Sequence, residues 1–142
     1  MRTTVLILLL CALVTTTIAA TQDSVKSPFK LVATVKQVMT AITVPASDAV
    51  FDAVADTPKD DKQWERVQNG ALALAESGNL LLLPGRTRDN EDWVKESQAM
   101  IDAAMIALKA AREKNADKLM DAGDRIFDTC DSCHKKYLDK TQ

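Results

Sequence analysis

Cys130, Asp131, Ser132, Cys133 and His134 stand together near the end of a 142-residue chain that has three cysteines and one histidine in all. Two thiols separated by two residues, with an imidazole directly after the second, have the spacing at which both sulfurs can add across the vinyl groups of a haem while the histidine turns toward its iron. On a helix, Cys130 and Cys133 lie one turn apart, and His134 follows Cys130 by four residues on the same side. Three bonds to one macrocycle can therefore form without distorting the helix. The cofactor these residues point to is one covalent haem c, held by Cys130 and Cys133, with His134 as an axial ligand and metal-binding residue. No catalytic residue is assigned.

Other chemistries of the same residues fit less well. Structural zinc usually takes four ligands, and beyond Cys11 and the motif the chain offers no further cysteine or histidine. A thioredoxin-like redox pair needs a strand before its helix, and no strand is readable here. A plain disulfide leaves His134 unexplained.

Arg2 precedes an apolar run from Val5 to Val14, and small residues follow at Ala19 and Ala20. This order reads as a cleaved secretory signal peptide over residues 1–20. The run is about half the roughly 20 apolar residues that a membrane span needs, and no later segment reads as longer or more apolar, so a soluble exported protein without a membrane span is expected. Cys11 follows Leu10, where a lipidated cysteine would follow a small residue. Residues 21–142 are then one domain of 122 residues with 17 basic and 20 acidic side chains. That balance argues against nucleic-acid binding. Only two cysteines remain after cleavage, both in the motif, so the fold must rest on apolar packing.

Helix-favouring Ala, Leu, Lys, Glu, Asp and Gln dominate this domain. Punctuation divides it into four. Ser27-Pro28 and Thr57-Pro58 read as helix starts, Pro84-Gly85 as a stop, and Asp89 or Asn90 and then Asn115 as further caps. The expected helices are about 28–54, 58–83, 90–113 and 115–138, with Pro45 bending the first. Each carries a narrow apolar or small seam at steps of three and four. These seams are Val32, Val35, Met39, Ile42, Ala46 and Ala49; then Trp64, Val67, Ala71, Leu74, Gly78 and Leu81; then Trp93, Ser97, Met100, Ala104, Ala107 and Ala111. The fourth is Ala116, Leu119, Gly123, Ile126, Cys130, Cys133 and Tyr137, which puts both thiols in phase with the core. Four such helices with short loops predict an all-α, antiparallel four-helix bundle. Seams this rich in Ala and Gly leave room for something bulky, and a flat macrocycle would fill it. Leu80 to Leu83, apolar on all sides, is either deeply buried or part of a subunit contact.

The chain resembles the four-helix-bundle c-type cytochromes, the class of cytochrome c′ and its low-spin relatives. The likeness spans the domain: a C-x-x-C-H motif near the C-terminus, an aromatic after it at Tyr137, and a first helix with Leu/Met-type residues on the distal side. The resemblance implies a haem enclosed by the bundle, His134 as the proximal ligand, and the first helix over the opposite face. It also suggests a homodimer through the first two helices. Where cytochrome c′ often carries a basic residue after that aromatic, this chain has Leu138, a departure bearing on proximal gas chemistry.

With a single histidine, the second axial position falls to methionine, another weak ligand, or nothing. Met39 on the first seam is the candidate second metal ligand; ordinary core packing explains a methionine there equally well. Met100 and Met105 are weaker candidates, and Met120 precedes His134 by 14 residues on one helix, about 21 Å at helical rise. Trp64 and Trp93 read as core aromatics whose indole N–H groups reach the bundle edge. Lys135, Lys136 and Lys140 make a modest basic rim that could steer an acidic redox partner, or simply a solvated helix end. Together these features predict a periplasmic monohaem electron carrier, not an enzyme. The alternatives are a five-coordinate haem protein that binds NO or CO, and a haem-free helical adaptor.

Overall fold

The computed structural model of the protein describes residues 28–89 and 91–138. The expected signal peptide, Cys11, Ser27, Asn90 and Lys140 lie outside the described residues. Four long helices and no strand make up the described residues: α1 Val35–Ala55, α2 Asp61–Leu81, α3 Asp92–Arg112 and α4 Ala116–Tyr137.

Two helix starts differ from the sequence expectation. Pro28 is not the first residue of α1. Residues 28–34 form an arm, and the helix begins where Thr34 and Gln37 complete a capping box, with Thr34 Oγ1 accepting from Gln37 N at 3.2 Å and Gln37 Oε1 from Thr34 N at 2.9 Å. Pro58 likewise precedes its helix, because Asp60 takes the cap and accepts from Gln63 N at 2.8 Å. At α3 the Asp89 carboxylate accepts from Trp93 N at 2.9 Å and from Glu91 N at 3.1 Å. Asn115 caps α4 as expected, accepting from Lys118 N at 2.9 Å.

Pro45 does more than bend α1. It lacks an N–H for the carbonyl four residues back, and just before it Met39–Thr43 form a π-helical turn in which Val44 N bonds to Met39 O, five residues away. The extra residue shifts the phase of the seam. Val38 and Thr43 are buried, and Ile42, expected on the seam, is only half-buried. Beyond the turn the buried face continues through Ala46, Ser47, Val50 and Ala53.

The seams of α2 and α3 are buried at every expected position, and on α4 Leu119, Gly123 and Ile126 are buried. The most extensive packing joins α2 to α3 and α3 to α4, and α1 rests on α2 and α4. At Gly70 a Cβ would lie 2.7 Å from Ala49 Cβ and 3.0 Å from Ala46 O, so glycine is what lets α1 approach α2 this closely. Of the Leu80–Leu83 run, Leu81 is buried and the others are half-buried. α1 has a mean hydropathy of 1.3 and is long and apolar enough, by length and composition alone, to cross a membrane. It is longer than the apolar run at Val5–Val14, but Lys36, Asp48 and Asp52 stand within it.

Arg86 was not singled out in the sequence, yet its side chain is 7% exposed. Its Nε and Nη2 donate to Ala33 O at 3.2 and 3.1 Å, and its Nη1 donates to Leu80 O at 3.0 Å. This guanidinium ties the arm that leads into α1 to the end of α2.

Candidate functional site

The motif occupies the last turns of α4, where the seam passes from buried Ile126 to half-buried Cys130 and Cys133 and exposed His134. Both thiols are free. They line an apolar cavity of about 80 Å³ together with His134, and Met39 and Thr43 of α1 and Met100 of α3 form other parts of its wall. A groove of about 440 Å³, bounded by Val35, Trp93, Tyr137 and Leu138, shares Met39, Cys133 and His134 with that cavity. The four residues singled out from the sequence therefore line one cavity. Of the other methionines, Met100 lines it, whereas Met105 and Met120 are exposed and do not. A wider hollow of about 590 Å³ beside Asp48, Asp52, Asp56 and Arg66 is lined by none of the predicted site residues.

Burial pushes the Cys133 thiol up to about 11, with the Glu96 carboxylate and Cys130 adding to the effect. Cys130 is raised as well, chiefly by burial. Both are therefore thiols in the folded chain, and a thiol is a far weaker nucleophile than a thiolate. Glu96 was not anticipated as part of the site. It lines the cavity from α3, and its Oε1 accepts from Ser132 Oγ at 2.9 Å.

The floor of the groove is held by aromatic and charged contacts. Trp93 and Tyr137 meet edge to face, with centroids 5.0 Å apart and an interplanar angle of 77°. The Trp93 indole N–H donates to Leu81 O at 2.9 Å, so it is spent inside the core and does not reach the bundle edge. Tyr137 donates its hydroxyl to Asp89. Desolvation, and then this carboxylate, push the Tyr137 phenol up to about 12. The Asp89 carboxyl is held below its ordinary value by the Trp93 N–H and the Tyr137 hydroxyl. Lys136 pairs with Asp92, and Lys135 with Asp131 at 2.5 Å. Much of the expected basic rim is thus neutralised within the chain, and exposed pairs of this kind add little stability.

Thr43 is the other residue that the sequence reading passed over. Its residue is 5% exposed, it lines the cavity, and among the described residues its Oγ1 is the buried side-chain oxygen with no hydrogen-bond partner. Its phase change at the π turn hid it, although the nearby Pro45 was a readable warning of irregular helix. Among the described residues no three His, Cys, Asp or Glu side chains cluster so as to hold a metal ion by themselves. Comparison with known proteins finds no family model that matches the chain and no curated protein that matches it.

Proposed function

We propose that this chain is an exported monohaem c-type cytochrome of the four-helix-bundle class, and that it carries electrons without making or breaking bonds in a substrate. The observation that carries the reading is the meeting of Cys130, Cys133 and His134, one helical turn of α4, with Met39 of α1 around a single cavity. The three-residue link between α3 and α4 supports an antiparallel bundle around it, as does the packing of α2 on α3 and of α3 on α4.

The residues present fit a haem. Two half-buried thiols face an apolar space, a single imidazole stands beside them, and a buried hydroxyl that also lines the space lacks a partner. The groove alone falls within the roughly 300–1,000 Å³ of cofactor sites. The haem, when bound, supplies an iron that cycles between ferric and ferrous states. Cys130 and Cys133 tether it through two thioethers, and His134 and Met39 ligate the metal. Trp93, Tyr137 and Met100 exclude water, which keeps the pocket's polarity low and favours the less charged reduced site. Methionine ligation raises the reduction potential and fills the coordination shell, as electron transfer requires. The leader at residues 1–20 supports a soluble periplasmic protein that meets a redox partner protein; a homodimer through α1 and α2 belongs to the same reading.

The test is the visible spectrum of protein produced in a host with haem-attachment machinery, reduced, with and without CO. A low-spin spectrum indifferent to CO is expected, and Met39→Ala should convert it to a high-spin, CO-reactive one. A wild type that is already high-spin and CO-reactive would replace the electron carrier with a gas-binding module. Protein with the mass of the bare polypeptide would overturn the haem reading altogether.

A further inference from the structure

We infer that Thr43 is a positioning residue for Met39, its hydroxyl donating a hydrogen bond to the Met39 sulfur when that sulfur binds the iron. This rests on the haem reading above and adds a role to a residue that reading does not use. Thr43 and Met39 are the two ends of the π-helical turn, and both line the cavity.

Hydroxyls on the helices of this chain are normally spent on a carbonyl one turn back. Thr40 donates to Lys36 O at 2.7 Å, Ser47 to Val44 O at 2.9 Å, Ser77 to Leu74 O at 2.7 Å and Thr129 to Ile126 O at 2.9 Å. Among the described residues, Thr43 Oγ1 is the fully enclosed side-chain oxygen that has no hydrogen-bond partner. A buried hydroxyl without a partner destabilises the fold, so its persistence points to an acceptor that arrives with the cofactor. A thioether sulfur has two lone pairs, and one remains as a weak acceptor when the other binds a metal. Donation to that pair fixes the methionine side chain and draws electron density from the sulfur, which disfavours ferric iron more than ferrous and raises the potential.

The experiment uses the haem-loaded protein and its Thr43→Val, Thr43→Ala, Thr43→Ser and Met39→Ala variants, read by potentiometric titration and by the red absorption band of methionine-ligated ferric haem. Thr43→Val and Thr43→Ala should stay six-coordinate with a displaced band. Each should have roughly a threefold higher ferric-to-ferrous ratio at the wild-type midpoint, a drop of about 28 mV at 59 mV per tenfold. Thr43→Ser, which keeps the hydroxyl, should return both quantities to wild type. Wild-type potential and band in the valine and alanine variants would overturn the inference, as would a serine variant shifted as far as the valine one. A low-spin, six-coordinate Met39→Ala protein would instead mean that the ligand assignment itself is wrong, whereas a high-spin Met39→Ala protein beside silent Thr43 variants would remove the role of Thr43 alone.

Discussion

Where α3 turns into α4, the chain closes on itself tightly; at the other end of α4 it leaves space. The closed end has Ala107, Ala111 and Leu119 with no exposed surface. Its link is only three residues, with Lys114 at φ 51° and Asn115 N bonding back to Ala110 O at 3.0 Å. The motif end has half-buried thiols, an exposed imidazole, a cavity, and buried Thr43, Ser47 and Ser97 along the cavity wall. One set of helices thus carries both a region optimised for contact and a region whose contacts are incomplete. The contrast suggests that stability is concentrated at the closed end, leaving the motif end free to accept a ligand.

The sharpest way to break this contrast is to remove comparable volumes from each end. Leu119→Ala should cost about 2–5 kcal/mol in urea unfolding, since the side chain is enclosed on all sides. Met100→Ala, measured on protein without haem, should cost about 2 kcal/mol or less, because its side chain already borders a void and has fewer contacts to lose. Equal losses at both sites would erase the distinction. A smaller effect, about 1 kcal/mol net, is expected for Gly70→Ala, where overpacking against Ala49 Cβ and the Ala46 carbonyl outweighs the gain in helix propensity. A neutral or stabilising result there would mean that α1 is not pinned against α2.

The smallest expected effect concerns the clasp between Asp89 and Tyr137. Tyr137 is the only tyrosine in the chain, so tyrosinate absorbance reports it alone. Its folded value lies above the ordinary 10.0, so its contribution to stability is whole below pH 10 and is lost as pH rises toward about 12. Asp89 works in the opposite direction. Its folded value is depressed, so its contribution is present above its ordinary 3.8 and fades as pH falls through the lowered value. In Asp89→Asn the tyrosine titration should move down from about 12 yet remain above 10, because burial, the larger cause, persists. A titration unchanged by that substitution would mean that the carboxylate does not hold the α4 end.

The seams of α2, α3 and most of α4 were legible in the sequence because unbroken helix keeps its phase, so a step of three and four marks the same face for 21 or 22 residues. The motif was legible for the same reason, since its residues are local to one helix. The start of α1 was not. Ser27-Pro28 looked like a cap, but the Thr34–Gln37 capping box satisfies two backbone N–H donors where a lone proline satisfies none. Thr43, Glu96 and Arg86 escaped notice because what marks them is long-range: an absent partner, a neighbour on another helix, and a carbonyl 53 residues away.

The wide turn at Met39–Thr43 separates two demands that a regular helix would couple. Beyond it, Ala46 and Ala49 are locked against Gly70; at its first residue, Met39 lines the cavity. Because each residue of ordinary helix turns the chain by about 100°, one surplus residue acts as a swivel joint. Shortening or lengthening the chain at this joint would re-aim the sulfur while the clamped half stays seated, so the aim of this part of the cavity wall can be retuned without rebuilding the rest of the protein.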